Sequence, residues 1–189
     1  MRLFDRSTLG SLVGGTAVII LGSFAAHPAA AQDKDALIKN ALSAAPPGVA
    51  ETATVVDNQG NLLREGTGAY TCFPYEGGLT VAMCVDAPWL EWADAYMKED
   101  PNYKGSQFGL AYMLAGDPPG GGASNINPFD TEPTADNQWV TEGPHVMILA
   151  PDPAMLDSLT TDPNTGGPYV MWKGTPYAHI MMPTGPRPK

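Results

Sequence analysis

The sequence contains few basic residues, few histidines and few cysteines. Ten lysines and arginines stand against twenty aspartates and glutamates, which gives a formal net charge of −10 at pH 7. Phosphate groups repel a chain this acidic, so we expect no nucleic-acid partner. Only three histidines and two cysteines occur in 189 residues. Site chemistry that requires imidazole or thiolate therefore depends on very few positions.

Common catalytic and nucleotide-binding signatures are also missing. The chain has no G-x-S-x-G nucleophile motif, and its cysteines are not spaced as C-x-x-C. Residues 120–122 are three glycines, but no Gly-Lys-Ser/Thr follows them as a phosphate-binding loop requires. These absences remove the most recognisable enzyme classes and leave open whether the protein is an enzyme.

Residues 1–31 have the features of an export signal. Arg2 and Arg6 form a basic start, residues 12–26 are mainly apolar, and Ala29–Ala31 provide small residues at a cleavage site. The apolar run is shorter than the roughly 20 residues that a membrane-spanning helix needs. We therefore predict a signal peptide, a periplasmic or secreted protein, and no membrane span after cleavage.

The two cysteines are predicted to form a disulfide, because exported proteins fold in oxidising compartments. Cys72 and Cys84 flank a short segment in which Gly77 and Gly78 can reverse the chain direction. A disulfide that closes a loop of this size stabilises the fold by about 2–3 kcal/mol. The alternative is a reactive or metal-binding thiol pair, which a C-x-x-C spacing would have favoured.

Residues 32–189 are predicted to form a single α+β domain. We expect a mainly antiparallel sheet of about five to seven strands, with two or three helices packed on it. One amphipathic helix is expected over 35–45, and another after Asp86, which is a good N-cap. Trp89 and Trp92 in that second helix are interpreted as a surface that docks on the sheet, or else as a platform for ligand stacking.

The C-terminal part is predicted to end in a β-hairpin. The segments PYVMW and YAHIMM flank Lys173–Pro176, which is a short connection with turn-forming residues. If Trp172 pairs with Tyr177, then Val170 lies opposite His179. A shift of one residue would exchange the two faces of the hairpin.

Two tripeptides combine histidine with methionine. They are His145-Val146-Met147 and His179-Ile180-Met181. Residues i and i+2 of a strand point to the same face, so each tripeptide presents an imidazole beside a thioether. Imidazole and thioether are ligands that select Cu(I). The candidate metal ligands are therefore His145, Met147, His179 and Met181, with copper as the candidate cofactor.

Around these tripeptides the chain resembles an uncharacterised family of small exported bacterial proteins. The motifs that carry the resemblance are G-P-H-x-M, P-D-P and G-G-P-Y-V-M-W-x-G-T-P-Y-A-H-x-M, which stand at Gly143–Met147, Pro151–Pro153 and Gly166–Met181. The resemblance covers most of the mature chain. It implies bacterial export and supplies no activity. Repeated His-x-Met on strands is also similar to soluble periplasmic copper-binding proteins.

Three interpretations of the His/Met residues remain open. They form a copper site, or a histidine acts as acid or base with Asp152, Asp157 or Asp162, or they belong to a packed core. We expect a non-enzymatic binding or accessory protein that takes a metal ion or a small molecule. The alternatives are a small-molecule hydrolase with a His/Asp pair and a purely structural or interaction domain without metal.

Overall fold

The structure is a computed structural model that describes residues 29–78 and 80–188. Residues 1–28 of the predicted signal peptide therefore lie outside the described residues. Helix α1 begins at Ala29 and continues across the predicted cleavage site. No helix in the described part of the chain is long and apolar enough to cross a membrane.

The described residues form three α-helices, two 3-10 turns and ten strands. The helices are α1 Ala29–Leu42, α2 Pro47–Ala50 and α3 Ala87–Met97, and the 3-10 turns are Pro153–Leu156 and Pro163–Thr165. The strands are β1 Thr54–Val56, β2 Leu62–Arg64, β3 Thr71–Phe73, β4 Met83–Val85, β5 Gly109–Met113, β6 Ala123–Ser124, β7 Trp139–Val140, β8 His145–Leu149, β9 Tyr169–Met171 and β10 His179–Pro183.

Eight of these strands form one sheet in the order β2-β1-β3-β4-β5-β8-β10-β9, while β6 and β7 form a separate pair. Within the described strands, β1 and β3 are parallel and every other pair is antiparallel. The prediction of an α+β domain with a mainly antiparallel sheet is confirmed. The sheet has eight strands instead of five to seven, because several strands contain only three residues.

Helix α3 begins where predicted and is fixed to strand β5. One carboxylate oxygen of Asp86 accepts a hydrogen bond from the backbone N–H of Trp89 (3.2 Å), and the other accepts one from Leu110 (2.7 Å). Gly109 permits the close approach, since a Cβ at this position would lie 3.0 Å from the Cδ1 atoms of Trp89 and Leu149. The helix therefore packs directly over the middle of the sheet.

The sheet has two buried faces, because successive side chains of a strand point to opposite sides. On β4, Cys84 belongs to the cluster against α1 and Val85 to the cluster against α3. On β5, their partners Tyr112 and Ala111 divide in the same way. We call these surfaces the α1 face and the α3 face. The α1 face is built mainly from small side chains: Ala41, Ala44, Ala53, Val55, Cys72, Ala82 and Cys84.

The predicted disulfide is confirmed on the α1 face. Cys72 and Cys84 are directly paired residues of the antiparallel strands β3 and β4. They are bonded to each other, with their Cα atoms 4.0 Å apart. This separation is well within the limit of about 7 Å beyond which no disulfide forms.

The C-terminal hairpin is present, but its predicted register was wrong by one residue. His179 pairs with Met171, and Ile180 pairs with Val170. The physical reason is that Trp172 adopts a left-handed backbone conformation with φ 56°, so the chain leaves β9 after Met171. Met171, and not Val170, therefore shares a face with His179.

The β9 edge of the large sheet is covered by other parts of the chain. The backbone N–H of Val170 donates to Thr160 (2.8 Å), and that of Trp172 donates to Asn125 (3.1 Å). At the other edge, the side chain of Arg64 on β2 donates to two backbone carbonyls at the end of α2. Loops therefore close the sheet at β9, while the opposite edge is the short strand β2.

Candidate functional site: a cavity between helix α3 and the sheet

A cavity of about 280 Å³ lies on the α3 face, between the helix and the sheet. Most of its wall is apolar. The aromatic side chains are Phe73, Trp89, Trp92, Tyr96 and Trp172, the methionines are Met83, Met113, Met147, Met171 and Met181, and the polar residues are Asp117, Asp130, Glu142, His145 and His179. A largely apolar wall with a few grouped polar side chains is typical of a small-molecule site.

All four candidate metal ligands line this cavity. Met147 of β8 pairs directly with Met181 of β10, and His145 pairs with Pro183 two positions further along. His179 lies two positions from Met181 in the other direction. The two methionines are therefore central, and the histidine Cα atoms are about 13 Å apart along the strands. This spacing favours a site of two thioethers and one imidazole over one that uses both imidazoles.

Each histidine ring is held by the backbone two residues before it. Nδ1 of His145 donates to the carbonyl of Gly143 (2.7 Å), and Nδ1 of His179 donates to that of Tyr177 (2.9 Å). Because a carbonyl oxygen only accepts, Nδ1 carries the proton in both rings. Nε2 is then the atom with a free lone pair in each neutral imidazole, which is the arrangement that metal-binding histidines use.

His179 is surrounded by indole rings. Its ring centroid lies 5.4 Å from that of Trp89, 5.8 Å from Trp92 and 5.0 Å from Trp172, all in edge-on geometry. Only 2% of His179 is exposed. This burial lowers the pKa of His179 to about 4. The imidazole is therefore neutral near pH 7.

Two carboxylates, Asp117 and Glu142, line the cavity, and we call them the acidic corner. Glu142 is 1% exposed, and its Oε1 accepts hydrogen bonds from the hydroxyl of Tyr169 (2.9 Å) and from Arg187 (2.5 Å). The backbone N–H of Glu142 donates to Oδ2 of Asp117 (2.6 Å). Burial raises the pKa of Asp117, and the nearby charge of Glu142 adds to the rise.

Three buried polar atoms of cavity-lining residues have no hydrogen-bond partner in the part of the chain that the structure describes. They are Nε1 of Trp89, Nε1 of Trp92 and Oε2 of Glu142. A buried polar atom without a partner costs about 1–3 kcal/mol. A bound molecule with a matching donor or acceptor would recover part of that cost.

The aspartates considered for acid–base catalysis lie on the surface. Asp152 and Asp162 accept backbone hydrogen bonds at the starts of the two 3-10 turns, and Asp157 lies 3.8 Å from Lys173. All three aspartates are exposed. No hydrogen bond joins any of them to a histidine among the residues described. The structure therefore does not bring together the His/Asp pair of the hydrolase interpretation.

Metal binding by the usual nitrogen, oxygen and thiolate ligands has no support in the geometry. Within residues 29–78 and 80–188, no three or more His, Cys, Asp or Glu side chains are grouped to hold a metal ion. Any metal site on the α3 face would therefore depend on the methionine sulfurs.

Sequence reasoning did not identify the acidic corner. Glu142 stands directly before the G-P-H-x-M motif, and Asp117 lies in a Gly/Pro-rich loop. Neither position has a pattern that marks it as buried, so the only available signal was the position of Glu142 beside a motif. Trp89 and Trp92 pack against the sheet, as one of their two interpretations predicted, and both also line the cavity. Their role as a platform for ligand stacking stays a prediction.

The chain was compared with protein families, curated proteins and solved structures. No family model, no curated protein and no solved structure matches it. The resemblance to a family of small exported bacterial proteins stays a prediction from the motifs.

Proposed function

We propose that this protein is an exported, non-enzymatic binding protein that holds a small, largely apolar molecule in the cavity between α3 and the sheet. The observation that carries the proposal is the cavity of about 280 Å³ with aromatic and methionine walls. A cavity of about 150 Å³ is large enough for benzene. The cavity here therefore has room for a bicyclic aromatic or a branched aliphatic molecule.

Two further observations support binding. Methionine side chains are flexible and polarizable, so they adapt their packing to ligands of different shapes. The polar atoms without protein partners provide places where a ligand could be oriented by hydrogen bonds. A core whose only role is packing would be expected to satisfy these atoms.

The direct test is titration of the purified mature protein with 1-methylnaphthalene, followed by tryptophan fluorescence. Three tryptophans line the cavity, so occupation should change the emission. The variant Ala93→Leu adds volume at a lining position of α3 and should weaken binding by about tenfold or more. Ala87→Leu makes the same change at an exposed position of the same helix and serves as the control.

The proposal fails if wild-type protein shows no saturable binding of the probe. It also fails if Ala93→Leu and Ala87→Leu bind the probe equally well, because the probe would then bind elsewhere. Near-UV circular dichroism of both variants checks that the fold is retained.

A second candidate function is Cu(I) binding at the same face. The observation that favours it is the direct pairing of Met147 with Met181 between His145 and His179. Cross-strand partners have Cβ atoms about 4.5–5.5 Å apart, which allows two thioether sulfurs to reach one ion.

Cu(I) binding is tested by competition with a chromophoric Cu(I) chelator under reducing conditions, with Zn²⁺ as the control ion. Met181→Leu keeps the volume and removes the sulfur, and should reduce Cu(I) affinity at least tenfold. Met155→Leu, at an exposed position, is the matched control. His179→Ala should abolish Cu(I) binding; unchanged uptake in this variant would make the histidine a structural residue.

Export is part of the proposal and is supported by two features. The predicted signal over 1–31 and the Cys72–Cys84 disulfide both fit an oxidising compartment outside the cytoplasm. The intact mass of protein recovered from the periplasm or medium should correspond to a chain that begins at Gln32. An uncleaved chain would contradict the predicted signal.

A further inference from the structure

We propose that the ligand of the cavity carries a protonated amine, which binds at the acidic corner while an apolar or aromatic body fills the remaining space. This inference rests on the proposed binding function and specifies the chemical class of the ligand. The acidic corner consists of Asp117 and Glu142, which both line the cavity.

The Glu142 carboxylate has unused capacity to accept hydrogen bonds. Its Oε1 is already used by Tyr169 and Arg187, whereas Oε2 is buried and has no partner in the described residues. A carboxylate oxygen only accepts, so the group that completes it must be a donor. An ammonium group supplies three donors and forms charge-assisted hydrogen bonds, which are stronger than neutral ones.

The charged side chains that line the cavity are all acidic. The described residues that line the cavity include Asp117, Asp130 and Glu142 but no lysine or arginine. Arg187 pairs with Glu142 from outside this lining and neutralises one carboxylate only. The chain as a whole also has a net charge of −10. An anionic ligand would therefore be repelled, and a cationic one attracted, both at a distance and at the corner.

Aromatic rings form much of the remaining wall of the cavity. Trp92, Tyr96 and Trp172 have nearly parallel rings with centroids 5.2–5.8 Å apart, and all three line the cavity. Such rings pack well against an apolar or aromatic group. Carboxylates and aromatic rings thus line the same cavity, which suits an amine with an apolar or aromatic body.

The test compares three probes of nearly the same shape at pH 7: 1-(aminomethyl)naphthalene, 1-methylnaphthalene and 1-naphthoate. Calorimetric titration of the mature protein should show the amine binding about tenfold more tightly than the neutral probe, with the carboxylate weakest. Glu142→Gln keeps the acceptor for Tyr169 and Arg187 but removes the charge. This variant should lose the preference for the amine, read as the ratio of its affinities for the amine and for 1-methylnaphthalene in the same variant.

Glu132→Gln is the matched control, since Glu132 is exposed in the loop between β6 and β7. It should bind all three probes as the wild type does. Asp117→Asn gives a second, independent variant if Glu142→Gln proves poorly folded by near-UV circular dichroism, and it should also reduce the preference for the amine.

The outcomes separate this inference from the proposed function. If the neutral probe binds in the cavity and the amine binds no more tightly, the inference is wrong and the binding function stands. If Glu142→Gln and Asp117→Asn keep the full preference for the amine, the acidic corner is not its site and the inference is also wrong. If none of the three probes binds, the proposed function itself fails.

Discussion

The two faces of the sheet are packed with different kinds of side chain. On the α1 face, alanines and a disulfide bring α1 close to β1, β3 and β4. On the α3 face, α3 contacts β5, and tryptophans, tyrosines, methionines and two histidines leave a cavity beside this contact. Neighbouring residues such as Cys84 and Val85 contribute to different faces. Along β3, β4 and β5, which contribute to both faces, the difference therefore lies in the side chains.

This contrast shows how one sheet can combine rigidity with a binding site. Small side chains have few rotamers and pack at close range, so the α1 face anchors the fold. Large side chains of irregular shape leave space between them when they meet, and polar groups among them raise the cost of full burial. We expect changes on the α1 face to alter stability alone, and changes on the α3 face to alter both stability and binding.

The largest expected effect comes from truncation on the α3 face. Trp92 stacks on Tyr96 and Trp172 and meets Tyr177 and His179 edge-on. Trp92→Ala should lower the free energy of unfolding by about 3–5 kcal/mol, because it removes these contacts and enlarges the cavity. Urea denaturation followed by far-UV circular dichroism measures the loss. A change below about 1 kcal/mol would mean that this face contributes little to stability.

A slightly smaller effect is expected from the α1 face. The double variant Cys72→Ala, Cys84→Ala should be less stable by about 3 kcal/mol, because the unfolded chain is no longer constrained by the loop closure. Binding of 1-methylnaphthalene under native conditions should stay the same, since both cysteines point away from the cavity. Loss of probe binding in a variant that remains folded would show that the two faces are not independent.

Lowering the pH should destabilise the protein through His179 on the α3 face. Burial lowers the pKa of His179 to about 4 from its ordinary value near 6.5. His179 of the unfolded chain is protonated at a higher pH than His179 of the folded chain. The free energy of unfolding is therefore unaffected by His179 above about pH 6.5, and it decreases as the pH drops towards 4. The loss between pH 7 and pH 5 should be on the order of 2 kcal/mol. His179→Gln should show a correspondingly smaller loss over the same range, and an identical pH profile would contradict this assignment.

The smallest expected effects on stability come from changes of side-chain size or shape, made once on each face. Ala44 is fully buried on the α1 face, so Ala44→Leu should cost about 1–3 kcal/mol through overpacking. Met147→Leu nearly preserves the volume on the α3 face and should cost less than about 1.5 kcal/mol. Melting temperatures check this ranking, since Ala44→Leu should melt at a lower temperature than Met147→Leu. If Met147→Leu were the more destabilising variant, the α3 face would be the more rigid of the two.

Much of the fold could be predicted from local patterns, because local physics decides those elements. Asp86 followed by Pro88 defines the start of α3, and the His-x-Met tripeptides lie on strands as expected. The one-residue error in the C-terminal hairpin arose from Trp172, whose left-handed conformation is rare for a bulky residue. No sequence rule would have placed it there.

Only part of the candidate site could be predicted from such local patterns. The shared faces of His145 with Met147 and of His179 with Met181 follow from strand periodicity, whereas the pairing of β8 with β10 that brings Met147 beside Met181 does not. The cavity itself depends on how side chains from one helix, eight strands and several loops fit together, which a linear pattern does not contain. Glu142 was missed for the same reason, since its burial depends on Tyr169 and Arg187, which are distant in sequence.

The covered β9 edge and the short β2 edge of the sheet have a consequence for behaviour in concentrated solution. An exposed edge strand offers a row of free N–H and C=O groups on which a second chain can pair, which is a common route to fibres. Here the outward N–H groups of Val170 and Trp172 are occupied by loop carbonyls, and strand β2 at the opposite edge is only three residues long. We therefore expect the folded protein to remain monodisperse at high concentration. Self-association should begin only after these loops detach from β9.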